Sequence, residues 1–196
     1  MHEVKAGLWH WQAPHPDWNA RGAEWGKLVS SYAIEVDGRL LLFDPLALPG
    51  EIEELAAGRE TVIMLTCPWH RRDAPSLAER HGWPIYVPPP DPPDPDPVKG
   101  QVFRAGERLP IGVEAFPGRE PNDPLLWIES RRALVAGDSL IERNEGLEFP
   151  RDWAPDDASP ERILESLQPL LELPVELVLP THGEPTHRAA LERALA

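Results

Sequence analysis

The stretch "LTCPWHRRDA", Leu65 to Ala74, sets a cysteine, a tryptophan, a histidine, two arginines and an aspartate almost side by side. A Cys67 thiolate can ligate a transition metal or attack as a nucleophile. His70 can ligate a metal or act as a general base near neutral pH. Arg71 and Arg72 can bind an anion, and Trp69 offers a face on which a substrate can stack. Asp73 is a further carboxylate. Each has a plainer reading: Cys67 as a buried inert thiol, Trp69 as a space filler, one arginine as a solvated turn residue. Three later segments add Arg119 in "FPGREPND", Asp138 in "LVAGDSLI" and His182 in "LVLPTHGEP". Asp44 stands in "LLFDP".

These residues share a position: most follow directly on an apolar run. "TVIML" is continuous rather than alternating, as in a strand covered on both faces. Strand ends of this kind are where α/β proteins bind ligands. Upstream, "SSYAIEVDGRLLLFDP" reads as a hairpin turning at Asp37-Gly38. "EIEELAAG" is a short helix ended by Gly58, and "APSLAERHG" a helix with Pro75 in its first turn and Gly82 beyond its end. "QVFRAGERL", "IGVEAFPG" and "LLWIESRRALVAGDSLI" continue as strands, the last with a turn at Ser130 to Arg132. "SPERILESLQPLLEL" is an amphipathic helix with Ser159 as N-cap and Pro160 at its first position. "VELVLP" is a buried strand, and "THRAALERALA" a closing helix. The order is β-rich, βα, β-rich, βα. It implies two sheets face to face with helices outside, an αββα sandwich.

The 196 residues, 41% of them hydrophobic, suit one domain over 1–196. A net charge of −14 argues against nucleic acid and anionic membrane as partners. No stretch reaches the ~20 apolar residues of a membrane span, and the N-terminus lacks the pattern of a signal peptide. With one cysteine, Cys67, the expected location is cytoplasmic. "PPPDPPDPDP", Pro88 to Pro97, cannot form helix or central strand and is expected as a surface loop. Four tryptophans, Trp9, Trp11, Trp18 and Trp25, crowd a segment that also holds His10, His15 and Asp17. That segment, about 9–25, reads as an aromatic lid, as an arm packed on the sandwich, or as a source of replacement metal ligands.

The order of "SSYAIEVDGRLLLFDPL", "TVIMLTCPWHRRDA", "AFPGREPND", "LVAGDSLI" and "LVLPTHGEP" resembles the metallo-β-lactamase superfamily over nearly the whole chain. The resemblance implies that family's αββα sandwich and a cleft that binds one or two Zn, Fe or Mn ions. The ions there polarise an ester, amide, thioester or phosphoester and generate hydroxide. In that family a strand ends in T-H-x-H-x-D-H, a P-G-H and a final G-H-G supply further histidines, and a G-D supplies a bridging aspartate. Aligned on Thr66, Cys67 and Trp69 replace the first two histidines, Arg71 and Arg72 replace the aspartate and histidine, and Arg119 replaces the P-G-H histidine. Asp138 and His182 match ligand positions. His70 and Asp73 fall one residue out of step. Asp44 is implied as a cap for neighbouring amides.

The expectation is therefore a superfamily member with a largely lost metal site and no cofactor. Arg119, and after it Arg71, is expected to pair with Asp138 in place of metal, while Arg72 turns outward. Asp138, His182 and His70 would carry any catalysis. Arg71, Arg119, Trp69, Cys67 and Asp73 would line a site for a small, anionic ligand. The alternatives are a mononuclear metal hydrolase of an ester, thioester, lactone or phosphoester, using His182, Asp138 and His70 or Cys67, and a non-catalytic structural or oligomerisation module. Self-association into a homo-oligomer stays open.

Overall fold

The computed structural model describes residues 1–19, 26–143 and 146–196. Its first sheet holds β1 (His2–Lys5), β2 (Leu8–Pro14), β3 (Leu28–Val36), β4 (Arg39–Phe43), β5 (Thr61–Met64), β6 (Ile85–Val87) and β7 (Gln101–Val102), in that spatial order. The second sheet is built from β8 (Arg108–Leu109), β9 (Val113–Phe116), β10 (Leu125–Ile128), β11 (Ala133–Gly137), β14 (Leu177–Pro180) and β15 (Thr186–His187). Between β11 and β14 a separate ribbon pairs β12 (Ile141–Arg143) with β13 (Gly146–Glu148).

Direction matters more than count. β4, β5, β6 and β7 run parallel, as do β11 and β14. β9 and β11 both lie antiparallel to β10, so β9 also runs with β11. The carboxyl ends of β4, β5, β9, β11 and β14 therefore gather at one end of the sandwich, and each is followed by a residue singled out above. β5 and β14 are buried at every position, as their unbroken apolar sequences require.

A core of Leu8, Tyr32, Ile34, Phe43, Met64, Val113, Leu126, Val135, Leu179 and their neighbours fills the space between the sheets. Helices α1 (Gly50–Ala56) and α2 (Ala74–His81) cover the outer face of the first sheet through Ile52, Ala56, Ala74 and Leu77. Helices α3 (Pro160–Leu167) and α4 (Arg188–Ala194) cover the second through Ile163, Leu167, Ala190 and Leu191. Each leucine or isoleucine buried in this way contributes about 1.5–3 kcal/mol, each alanine less. The result is the αββα sandwich, with two mixed sheets inside. Hydrogen bonds also tie the sheets together near the site: Ser30 N donates to Thr181 O at 2.7 Å, and the Tyr32 hydroxyl donates to Pro180 O at 2.7 Å.

The local expectations hold with small changes. Asp37 and Gly38 both take positive φ, 49° and 83°, the backbone a two-residue hairpin turn needs. Gly82 caps α2 at φ 71°. Ser159 stands at the N-cap of α3, but its hydroxyl bonds Glu161 rather than a backbone amide. The long helix expected from Ser159 breaks after Leu167 into a 3₁₀ turn, Gln168–Glu172, where Pro169 removes a backbone donor. The segment 88–97 has no helix or strand and is exposed from residue 90 onward. Trp11 packs on the outer face of the first sheet, its indole N–H donating to Leu46 O at 2.8 Å, and Trp9 packs beside it. These two belong to the sheet itself, on β2, rather than to a lid or a separate arm. Trp25, and with it 20–25 of the Trp-rich segment, lies outside the described residues. Among the described residues, no helix is long and apolar enough to cross a membrane.

Candidate metal centre

Asp44, at the end of β4, is a buried hub. Its Oδ1 accepts the Thr66 backbone N–H at 2.9 Å, and its Oδ2 accepts the hydroxyls of Thr66 at 2.6 Å and Thr181 at 3.2 Å. It thus fastens the loop after β5 to the loop after β14, which is the capping role expected of it. The same Oδ2 lies 3.2 Å from His70 Nδ1. Burial would raise the Asp44 carboxyl, but His70, Arg72 and Thr66 hold it below the usual carboxylate range.

The donor–acceptor roles around His70 are determined by Asp44. The Thr66 hydroxyl has one proton and gives it to Asp44. His70 Nδ1, 3.0 Å from that hydroxyl and 3.2 Å from Asp44, must then be the N–H donor. This leaves Nε2 aimed at Asp138, 3.4 Å from its Oδ1. His182 Nε2 stands 3.4 Å from the same oxygen. Among the described residues no properly oriented hydrogen bond reaches the buried Asp138 Oδ1, whereas Oδ2 accepts the Trp69 indole N–H at 2.9 Å. Cys67 is fully buried beside them. Ligand atoms of Cys67, His70 and Asp138 all lie within 4.8 Å of one another. This trio can hold a metal; His182 is not one of the three. Burial opposes charge on His70, but Asp138 and Asp44 on either side raise it to about 9. Burial and the nearby carboxylates push the Cys67 thiol well up.

The arginines do not sit as expected. Arg119 does not face Asp138. Its Nε lies 3.2 Å from Oδ2 of Asp123, its Nη1 is 2.7 Å from Glu120 and also donates to Trp153 O, and its backbone N–H donates to Ser139 Oγ at 2.7 Å. The reason is local: Asp123, four residues on and fully buried, captures the guanidinium before it can reach further. Gly118 permits the fold-back, since a Cβ there would stand 1.9 Å from Asp123 O. Arg71 points out of the cleft to Asp96, 3.3 Å away on the proline-rich loop. Arg72 turns inward, not outward. Its φ of 38° swings the side chain under β4, where Nη1 donates to Ser30 O at 2.8 Å and Asp44 O at 2.7 Å. Burial lowers its pKa. Asp73 also leaves the cleft and accepts the Ala47 N–H at 2.6 Å. Trp69, 38% exposed, covers Asp138.

The sequence pattern gives no role to Asp123, and it uses Thr66 only as the anchor of the motif alignment. Thr66 organises His70, and Asp123 decides where Arg119 goes. The spacing of Arg119 and Asp123 was readable, since i and i+4 residues meet in a tight turn as well as in a helix. Burial, then the nearby Asp138, push the Asp123 carboxyl well up, against the opposing pull of Arg119. Asp138 goes the other way, held well below the usual range: burial would raise it, but His70 and His182 prevail.

Beside this cluster a cavity of about 390 Å³ is lined by Gln12, Lys27, Glu142, Arg143, His182 and Gly183, among others. His182 forms its inner wall and meets the Trp153 ring edge-on at 5.7 Å. His15 and Asp17 join no metal-ligand group among the described residues, and His10 belongs to a different one.

Comparison with known proteins agrees with this geometry. A family model described as "Metallo-beta-lactamase superfamily" matches residues 56–182, more than half of the chain. A comparison with curated proteins finds no match. Among solved structures, TTHA1623 in a di-iron-bound form is 25% identical, with 85% of this chain and 93% of that one covered and a TM-score of 0.65. DIM-1 metallo-beta-lactamase exposed to ceftazidime is 16% identical, with coverage of 99% and 93% and a TM-score of 0.72. A metallo-beta-lactamase from Pontibacter korlensis is 12% identical, with coverage of 99% and 95% and a TM-score of 0.67. The last two likenesses concern the fold alone. With its site at the gathered carboxyl ends of both sheets, the chain belongs to the metallo-beta-lactamase superfamily.

Proposed function

We propose that this chain is a hydrolase built on a single divalent ion held by Cys67, His70 and Asp138, the second ion of the superfamily's paired centre having been lost. The observation that carries the reading is the buried Asp138 Oδ1, which lacks an oriented hydrogen bond among the described residues yet lies 3.4 Å from His70 Nε2. Donors sharing one tetrahedral ion at ~2.0–2.1 Å stand roughly 3.3–3.4 Å apart. Asp44 supports it from behind, because a ligating histidine normally donates its other N–H to a carboxylate. The donor types, a thiolate, an imidazole and a carboxylate, suit zinc best and iron next.

Two ions do not fit these side chains. An indole N–H of Trp69 occupies the other Asp138 oxygen, and the Arg119 guanidinium is committed to Asp123 and Glu120. An ion in the remaining site would polarise a carbonyl or phosphoryl oxygen and acidify a bound water. The chain's own groups supply the rest. His182 faces the cavity and can pass a proton. On the cavity wall Lys27 offers a cation to a negative group of the substrate, Arg143 being paired with Asp152 and Glu142 standing beside it. The substrate class is an ester, thioester, lactone or phosphoester.

A second reading has its own observation. A proton on His70, raised to about 9 between Asp44 and Asp138, can stand where the ion would. The cleft would then bind a small anion without catalysis. Zinc, iron and manganese analysis, combined with hydrolysis of short esters, thioesters, lactones and phosphoesters, separates the two. One bound ion and activity abolished in Asp138→Asn supports the hydrolase. Absence of metal after loading, with activity absent throughout, supports the metal-free reading.

A further inference from the structure

On the opposite side of β2 from Trp9 and Trp11, His10 is buried at 1% exposure against Tyr32, with ring centroids 5.0 Å apart. Its Nε2 lies 2.8 Å from Ser30 Oγ. That hydroxyl has one proton and donates it to Gly183 O at 2.5 Å. It also accepts from Gln12 Nε2 at 3.3 Å. The Ser30 oxygen can therefore only accept from His10, so His10 carries its proton on Nε2. The other ring nitrogen, Nδ1, is buried and, among the described residues, makes no hydrogen bond.

That bare Nδ1 points toward two more ligating groups. Glu184 Oε2 is 3.4 Å away, and a carboxylate offers a lone pair, not a proton. His2, directly opposite His10 in the β1–β2 register, sets its ring 5.2 Å from that of His10. Ligand atoms of His2, His10 and Glu184 all lie within 4.8 Å of one another. Three lone-pair donors thus converge with no proton between the buried nitrogen and the carboxylate. The 3.4 Å separation again equals the edge expected for donors on one tetrahedral ion, roughly 3.3–3.4 Å. The Ser30 hydroxyl on Nε2–H orients the ring from behind, as outer partners of ligating histidines do.

We propose that His2, His10 and Glu184 form a second, surface divalent-metal site, separate from the Cys67, His70 and Asp138 cluster and suited to zinc. Two imidazoles and one carboxylate leave a tetrahedral position for water or an external ligand. Because Glu184 follows His182 by two residues, an ion there would also fasten the loop that carries His182 to the first sheet.

The test uses tag-free protein at neutral pH titrated with Zn²⁺, with Co²⁺ as the spectroscopic probe. Asp138→Asn serves as the background, so that failure of the proposed catalytic centre does not affect the result. His2→Ala and Glu184→Gln, both at exposed positions, are the site variants. The expected result is one Zn²⁺ bound in the background, at least tenfold more weakly in either site variant. The His10 Nδ1 nitrogen resonance shifts on metal addition while Nε2–H persists. Binding unchanged by both variants, or a His10 Nδ1 resonance indifferent to Zn²⁺, overturns the proposal.

Discussion

The Nε of Arg119 lies 3.2 Å from Oδ2 of Asp123, a carboxylate with no exposed surface. The pair closes the loop after β9 and holds the guanidinium away from Asp138. Removing Arg119 takes away a donor of the buried Asp123 carboxyl, whose raised pKa lets it protonate instead of standing as a bare charge, so the cost is ~1–3 kcal/mol. Arg119→Ala is expected to lose that much in urea unfolding. Arg119→Ala with Asp123→Asn should recover part of it, whereas Arg119→Ala with Asp138→Asn should show no such recovery. A single mutant as stable as the parent contradicts the pairing.

Arg71 and Arg72 are neighbours with opposite fates. Arg71 meets exposed Asp96 at 3.3 Å, and such surface pairs contribute ~0–1 kcal/mol. Arg72 satisfies the carbonyls of Ser30 and Asp44 beneath β4. Truncation to alanine strands the Ser30 carbonyl at ~1–3 kcal/mol, while Asp44 O keeps the Ser31 hydroxyl at 2.7 Å. Thermal unfolding should therefore leave Arg71→Ala near the parent and place Arg72→Ala well below it. Equal losses in the two variants would show that Arg72 is not committed to the core.

Trp69 holds one oxygen of Asp138 at 2.9 Å. Trp69→Phe keeps the ring and removes only the N–H. Loss of such an outer-shell partner typically weakens metal binding ~10–100-fold. Competition with a zinc chelator should show a drop of this size in the Trp69→Phe variant, with little change in the unfolding midpoint. Unchanged affinity would mean that the indole N–H does not orient the carboxylate.

The His70 charge makes stability depend on pH in protein stripped of metal. Its folded pKa is raised from 6.5 to about 9, so its contribution is complete below about pH 6.5 and lost as pH climbs through 9. The shift corresponds to roughly 3 kcal/mol. Urea midpoints should fall across that interval in the chelated parent and stay flatter in His70→Gln. A chelated parent with no slope between those pH values contradicts a protonated, doubly paired His70.

Much of the architecture was legible because burial on both faces leaves unbroken apolar runs. "TVIML" and "VELVLP" carried that signal, and Asp37-Gly38 gave the hairpin. The site was legible as a set of strand ends but not as a set of contacts. Motif alignment places Arg119 where a cleft-facing histidine stands in the family. It cannot show that Asp123, four residues later, captures the side chain first. Nor does it reveal that the positive φ of Arg72 turns it inward, or that His70, one residue out of register, reaches Asp138 once Asp44 and Thr66 fix its ring. These outcomes depend on competition among partners distant in sequence. The His10 site depends in the same way on a Ser30 proton already spent on Gly183.

The central claim is a single ion at Cys67, His70 and Asp138. Its most direct test is the zinc stoichiometry of tag-free His2→Ala protein, in which the surface site is disabled, after zinc loading and dialysis. The account predicts close to one equivalent per chain, falling to near zero when Cys67→Ser or Asp138→Asn is added. Two equivalents, or none, or one equivalent that survives both substitutions, would contradict it.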